Sequence, residues 1–124
     1  MKKQLAKIKD ARLSMDRNTF LTFWITLNYE GAGHQGFGGY CLDAYDDEKE
    51  RRVGTAAGCE IIRQLLDMFK VNDFREMKGR IVYAIREEGW NSKVVGIEIP
   101  EFDGGGKFSI AEWKKEWFCE GDKS

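Results

Sequence analysis

The chain has 124 residues, 42% of them hydrophobic and 33% charged, with 20 basic side chains against 21 acidic ones. That composition suits a single folded domain and excludes a disordered chain, and the near-neutral balance provides no basic field for coating a nucleic-acid polymer. Three cysteines without a CxxC spacing and a single histidine argue against a disulfide framework or a bound metal, and no apolar run is long enough for a membrane span. A cytoplasmic protein with reduced thiols and no membrane association is therefore expected.

The first segment, Ala6 to Met15, alternates apolar and polar residues, and Asp16-Arg17-Asn18 then supplies a turn. In "TFLTFWITLNYE", Phe20, Thr22, Trp24 and Thr26 fall on one face and Leu21, Phe23, Ile25 and Leu27 on the other. Threonine, aromatic and β-branched residues dominate, which predicts a strand paired in a hairpin with the first. "YEGAGHQGFGGYCLD" follows and carries five glycines in its first eleven residues, leading into a short third strand, "GGYCLDAY". "DDEKERR", Asp46 to Arg52, reads as a solvated connection.

Gly54 to Lys70 is the clearest helix, with Thr55 as N-cap and Gly58, Ile62, Leu65, Leu66 and Phe69 as its apolar stripe. Asn72 or Asp73 caps one further helical turn before Gly79. "RIVYAIREE" and "KVVGIEIPEF" form a second hairpin around Gly89-Trp90-Asn91-Ser92. Three glycines, Gly104 to Gly106, then precede a terminal helix with a Ser109/Glu112 capping box. The order β-β-β-α-β-β-α lacks alternating βαβ units and predicts a single α+β domain over residues 1–124: an antiparallel sheet of about five strands with two helices.

Gly31, Gly33 and Gly36 spell G-x-G-x-x-G. A dinucleotide fingerprint needs strand, glycine turn and then helix, whereas these glycines lead into a strand. A glycine-built hairpin is favoured over direct phosphate contact, with His34, Gln35 and Phe37 at its tip available to a ligand or partner. A second candidate is "RRVGTAAG", where Arg51 and Arg52 precede a helix start at Thr55 whose open N–H groups suit an anion. Equally, Ala56, Ala57 and Gly58 could be small for tight packing. In the second hairpin a base could stack on Tyr83 or Trp90 while Asn91 reads its edge, although core and turn roles explain these residues at least as well. Lys107, after the glycines, is either a lid residue or a surface lysine. No catalytic set, metal ligand set or cofactor motif emerges.

"HQGFGGYCLD", "RRVGTAAGCEIIRQLL" and "VNDFREMKGRIVY" occur in an order and spacing that resembles a family of small phage and prophage proteins, over about Ile8 to Val95. Within that group the chain is most similar to the first type of Thoeris anti-defence protein. The resemblance implies a non-enzymatic sponge that forms symmetric homo-oligomers and sequesters cyclic ADP-ribose isomers, in some members also cyclic oligonucleotides. The acidic stretch Gly96 to Pro100 and the triple glycine depart from that pattern, so no ligand residue is transferred from the family. A phage inhibitor that binds a host defence protein, in the manner of an anti-CRISPR, and a small nucleotide hydrolase are the alternatives.

Overall fold

A computed structural model describes residues 2–31, 33–88 and 92–118. Strands β1 (Lys2–Asp16), β2 (Phe20–Tyr29) and β3 (Gly33–Gly38) are followed by a small hairpin of β4 (Asp43–Asp46) and β5 (Arg51–Gly54). Helix α1 (Ala56–Phe69), a 3₁₀ turn (Phe74–Met77), β6 (Ile81–Arg86), β7 (Val94–Glu98), β8 (Lys107–Ser109) and helix α2 (Ile110–Phe118) complete the chain. The main sheet is antiparallel with six strands ordered β3-β2-β1-β6-β7-β8, and β4–β5 form a separate two-stranded sheet. The α+β class and the two helices are as expected.

β1 is longer than its alternating stretch because it serves two partners. Lys2 to Lys7 pair with β6, and Lys7 to Asp16 pair with β2 across an irregularity between Ile8 and Asp10. The turn that follows places Arg17 at φ 53° and Asn18 at φ 57°, with Thr19 N–H donating to the Asp16 carbonyl at 2.8 Å. Positive φ at both central residues gives a turn whose twist matches the two strands. The period-two pattern of β2 holds: Phe23, Ile25 and Leu27 are fully buried beneath α1, together with Ile61, Leu65 and Phe69 of that helix.

Two expectations need correction. The third strand is the glycine segment itself, Gly33–Gly38, instead of the stretch after it. Gly38 at φ 138° and Gly39 at φ 81° break the ladder, and the chain then follows β2 irregularly through Gly39 N–H to the Phe23 carbonyl and Leu42 N–H to the Leu21 carbonyl. The charged "DDEKERR" is also ordered, as the tip and returning strand of the β4–β5 hairpin. Asp46 Oδ1 accepts from Glu48 N–H and Lys49 N–H there, and Glu50 takes a left-handed conformation.

Both helices carry the expected caps. Thr55 Oγ1 accepts from Gly58 N–H at 2.9 Å, and Ser109 Oγ accepts from Glu112 N–H at 3.4 Å. Asp73 caps the 3₁₀ turn through Arg75 N–H. On α2, Trp113 is buried and its indole N–H donates to the Ala57 carbonyl at 2.9 Å, tying the two helices together.

Candidate functional site

A cleft of about 800 Å³ lies between the far end of the β1–β2 hairpin and α1. Its walls are Leu13, Leu21, Leu42, Ile62, Leu66 and Val71, and its rim carries Thr55, Cys59, Arg63, Asp67, Lys70 and Asn72. The sequence builds it in two ways. First, the apolar arc of α1 is wider than the core needs. Ala57, Gly58, Ile61, Leu65 and Phe69 are buried, which leaves Ile62 and Leu66 half-buried on the cleft side. Second, the core face of the hairpin runs on to its tip. Leu13 pairs with Phe23 and Met15 with Leu21, yet Leu13 and Met15 stay 45% and 52% exposed. Apolar side chains on two elements thus face one another across an open space.

Of the seven residues singled out from sequence that lie among the described residues, Thr55 alone lines this cleft, and its hydroxyl is already engaged. It donates to the Leu42 carbonyl at 2.9 Å while accepting from Gly58 N–H. Arg52 is held by Asp43: its Nη2 donates to Asp43 Oδ1 at 2.8 Å and to the Asp43 carbonyl at 3.0 Å, and its Nε to Oδ1 at 3.2 Å. Burial pushes the Asp43 pKa up, but the hydrogen bonds from Arg52 and from Leu21 N–H, together with the Arg52 charge, hold it below the usual carboxylate value. The guanidinium proposed for phosphate is thus already paired with a carboxylate. Arg51, next to it, is exposed and donates to the Arg52 carbonyl at 3.3 Å.

The residues expected at a glycine-loop tip sit within β3. Phe37 is 1% exposed, with edge-to-face contacts to the Phe23, Tyr40 and Phe108 rings, so a ligand cannot reach it in this packed state. Gln35 uses both ends of its amide, accepting from the Tyr29 hydroxyl and donating to the Ser92 carbonyl, each at 2.8 Å. Tyr83 is half-buried on the outer face of the sheet, with the Lys3 ammonium 5.4 Å above its ring. Lys107 is exposed at the start of β8, opposite Glu98. Trp90 and Asn91 lie outside the described residues.

The two small-residue segments have steric explanations. A Cβ on Gly36 would lie 3.0 Å from Trp24 Cζ3, and one on Gly39 would lie 2.6 Å from Trp24 Cζ2, so these glycines make the bed on which the indole rests. A Cβ on Gly58 would collide with the Leu42 carbonyl, so that glycine lets α1 approach the Leu42 backbone. Reading from sequence missed Leu13, Leu21, Ile62, Leu66, Arg63 and Lys70. The over-wide apolar arc of α1 was the available signal. Comparison with protein-family models, with curated proteins and with solved structures finds no match to this chain.

Proposed function

We propose that the protein binds and sequesters a small cyclic nucleotide signal, a cyclic ADP-ribose isomer or a cyclic oligonucleotide, without cleaving it, as a phage-encoded means of immune evasion. The reading joins the family resemblance to one structural observation: an apolar-walled cleft of about 800 Å³ with two cations on its rim. That volume falls in the range of small-molecule sites, which combine apolar walls with a few orienting polar groups. Leu21, Ile62 and Leu66 offer surface to the faces of a purine, Arg63 and Lys70 are cations for its phosphates, and the Asn72 amide can meet a base edge. Asp67 lies between the two cations in sequence, and its carboxylate offsets part of their attraction for negative charge. The exposed Leu13 of the cleft wall and the exposed Met15 further along β1 give a second copy an apolar surface, consistent with a homo-oligomer.

Incubating the chain with a panel of adenine-containing cyclic nucleotides, followed by heat denaturation and mass analysis of the supernatant, tests the reading. The expected result is a raised melting temperature and recovery of intact ligand. Cleaved product would make the protein a hydrolase, and the absence of any thermal shift would remove the sponge reading.

Direct binding of a host defence protein is the second reading, and one feature favours it. Tyr45 is 57% exposed on the β4–β5 hairpin, beside a tip that carries Asp46, Asp47 and Glu48. An exposed aromatic next to acidic side chains suits a basic protein surface.

A further inference from the structure

β1 changes partners part-way along, and the change leaves a stretch of one edge open. Lys2 to Lys7 pair with β6, whereas β2 pairs with β1 only from Lys7 onward, where Asn28 stands opposite. Past Asn28, β2 keeps its other partner alone, with Tyr29 opposite Gly33 of β3. Among the described residues, residues 2–6 therefore have a neighbouring strand on one side only. Ile8 shows which way their backbone groups turn. Its N–H donates to the Arg80 carbonyl at 2.9 Å, and its carbonyl accepts from Gly79 N–H at 2.8 Å. Alternate residues of a ladder turn these groups to opposite sides, so Lys2, Gln4 and Ala6 direct theirs to β6 as Ile8 does. Lys3 and Leu5 direct theirs to the open side.

This edge has room and apolar surface beside it. Leu5 is 54% exposed, and with Ala6, Lys7, Asn28, Glu30 and Ile81 it lines a recess of about 380 Å³. Lysines on an open edge ordinarily discourage strand addition, because like charges directly opposite one another repel. Here they select a register. An antiparallel copy of the same segment can use the open groups of Lys3 and Leu5 in few ways. Lys3 opposite Lys3, or Lys3 opposite Lys7, sets ammonium groups against each other. Lys3 opposite Leu5 avoids this: Lys2 then falls opposite Ala6, and Gln4 lies opposite itself on the two-fold axis. Lys3, whose ammonium is held by Glu98 at 3.1 Å, lays its aliphatic stem beside the other copy's exposed Leu5. Glu30, in the recess beside Ala6, offers a carboxylate to the incoming end that carries Lys2 and Lys3.

We propose that two copies of the chain associate by antiparallel pairing of residues 2–6, with Lys3 opposite Leu5, so that their main sheets join across a two-fold axis. This interface lies at the other end of β1 from Leu13 and the cleft, and it stands whether or not that cleft takes a nucleotide.

Amide hydrogen exchange of the full chain, read by nitrogen–proton NMR at low and high protein concentration, tests the pairing. The amides of Lys3 and Leu5 should exchange freely in dilute solution and slow as concentration rises, while those of Gln4 and Ala6 stay protected throughout. Leu5→Lys sets a lysine opposite Lys3 on both sides of the axis. It should raise the dimer dissociation constant on the order of tenfold in analytical ultracentrifugation. Combining Lys3→Glu with Leu5→Lys puts opposite charges in the same two pairs and should restore association. A chain that stays monomeric at NMR concentrations would overturn the proposal. So would a dimer in which the Lys3 and Leu5 amides exchange freely, or a double variant that associates no better than Leu5→Lys. The wild-type exchange experiment decides the matter even if a variant fails to fold.

Discussion

The glycines of β3 and the small residues at the start of α1 both mark close approaches of the backbone, but to different things. Gly36 and Gly39 accommodate the Trp24 indole on the outer face of the sheet, whereas Gly58 accommodates the Leu42 backbone beside the cleft. In the first case a side chain of the protein itself covers the glycines. In the second, tight packing brings α1 to a position where its next apolar row, Ile62 and Leu66, borders open space. A glycine-rich stretch reports that something must come near. Only the neighbour decides whether that something is the protein or a ligand.

The largest effect should come from the β3 side. Phe37→Ala should cost about 3–5 kcal/mol of unfolding free energy, because it empties a ring-lined part of the core; a loss under about 1 kcal/mol in denaturant titration would place the ring outside the core. Next, Gly39→Ala should cost roughly 1–3 kcal/mol, since it combines a positive φ with overlap on Trp24. In the double variant with Trp24→Ala the overlap part should vanish and only the backbone part remain.

On the helix side, Gly58→Ala pits two effects against each other. Alanine favours a helix interior by about 1 kcal/mol, but its methyl group meets the Leu42 carbonyl. Net destabilisation of roughly 1–2 kcal/mol is expected, as overpacking outweighs propensity. A stabilised variant would show that α1 does not sit so close.

The smallest effect concerns Asp43. Its pKa is lowered in the fold, so its contribution is complete above the unfolded carboxylate range and is lost as pH falls through the folded value. Asp43→Asn should lower stability by roughly 1 kcal/mol at neutral pH, where the acceptor for Arg52 and Leu21 N–H is weakened. The melting temperatures of the two proteins should converge in acid. A gap that persists or widens there would mean that the carboxylate's charge is not what matters.

Much of the fold was legible because local rules and packing agree. The period-two pattern of β2, the Thr55 and Ser109 caps, the turn at Arg17-Asn18 and the α+β class all follow from short-range chemistry. The glycine strand was not legible, because glycine has low strand propensity and Trp24, which justifies it, lies on a different strand. The charged hairpin was missed for a similar reason: Asp43 anchors Arg52 across the ladder, and composition does not reveal such a pair. The candidate site was read least well. Leu13 and Leu21 join Ile62 and Leu66 only through tertiary packing, and Arg52, chosen for phosphate, already has its carboxylate.

The central claim is that the cleft between the hairpin tip and α1 is where a small signal binds. Calorimetric titration of the wild-type chain and of Leu66→Trp with the cyclic nucleotide that most raises the melting temperature tests it most directly. The indole should fill the cleft and abolish binding while leaving the fold intact by circular dichroism. Equal affinity for the wild type and the folded variant would contradict the account.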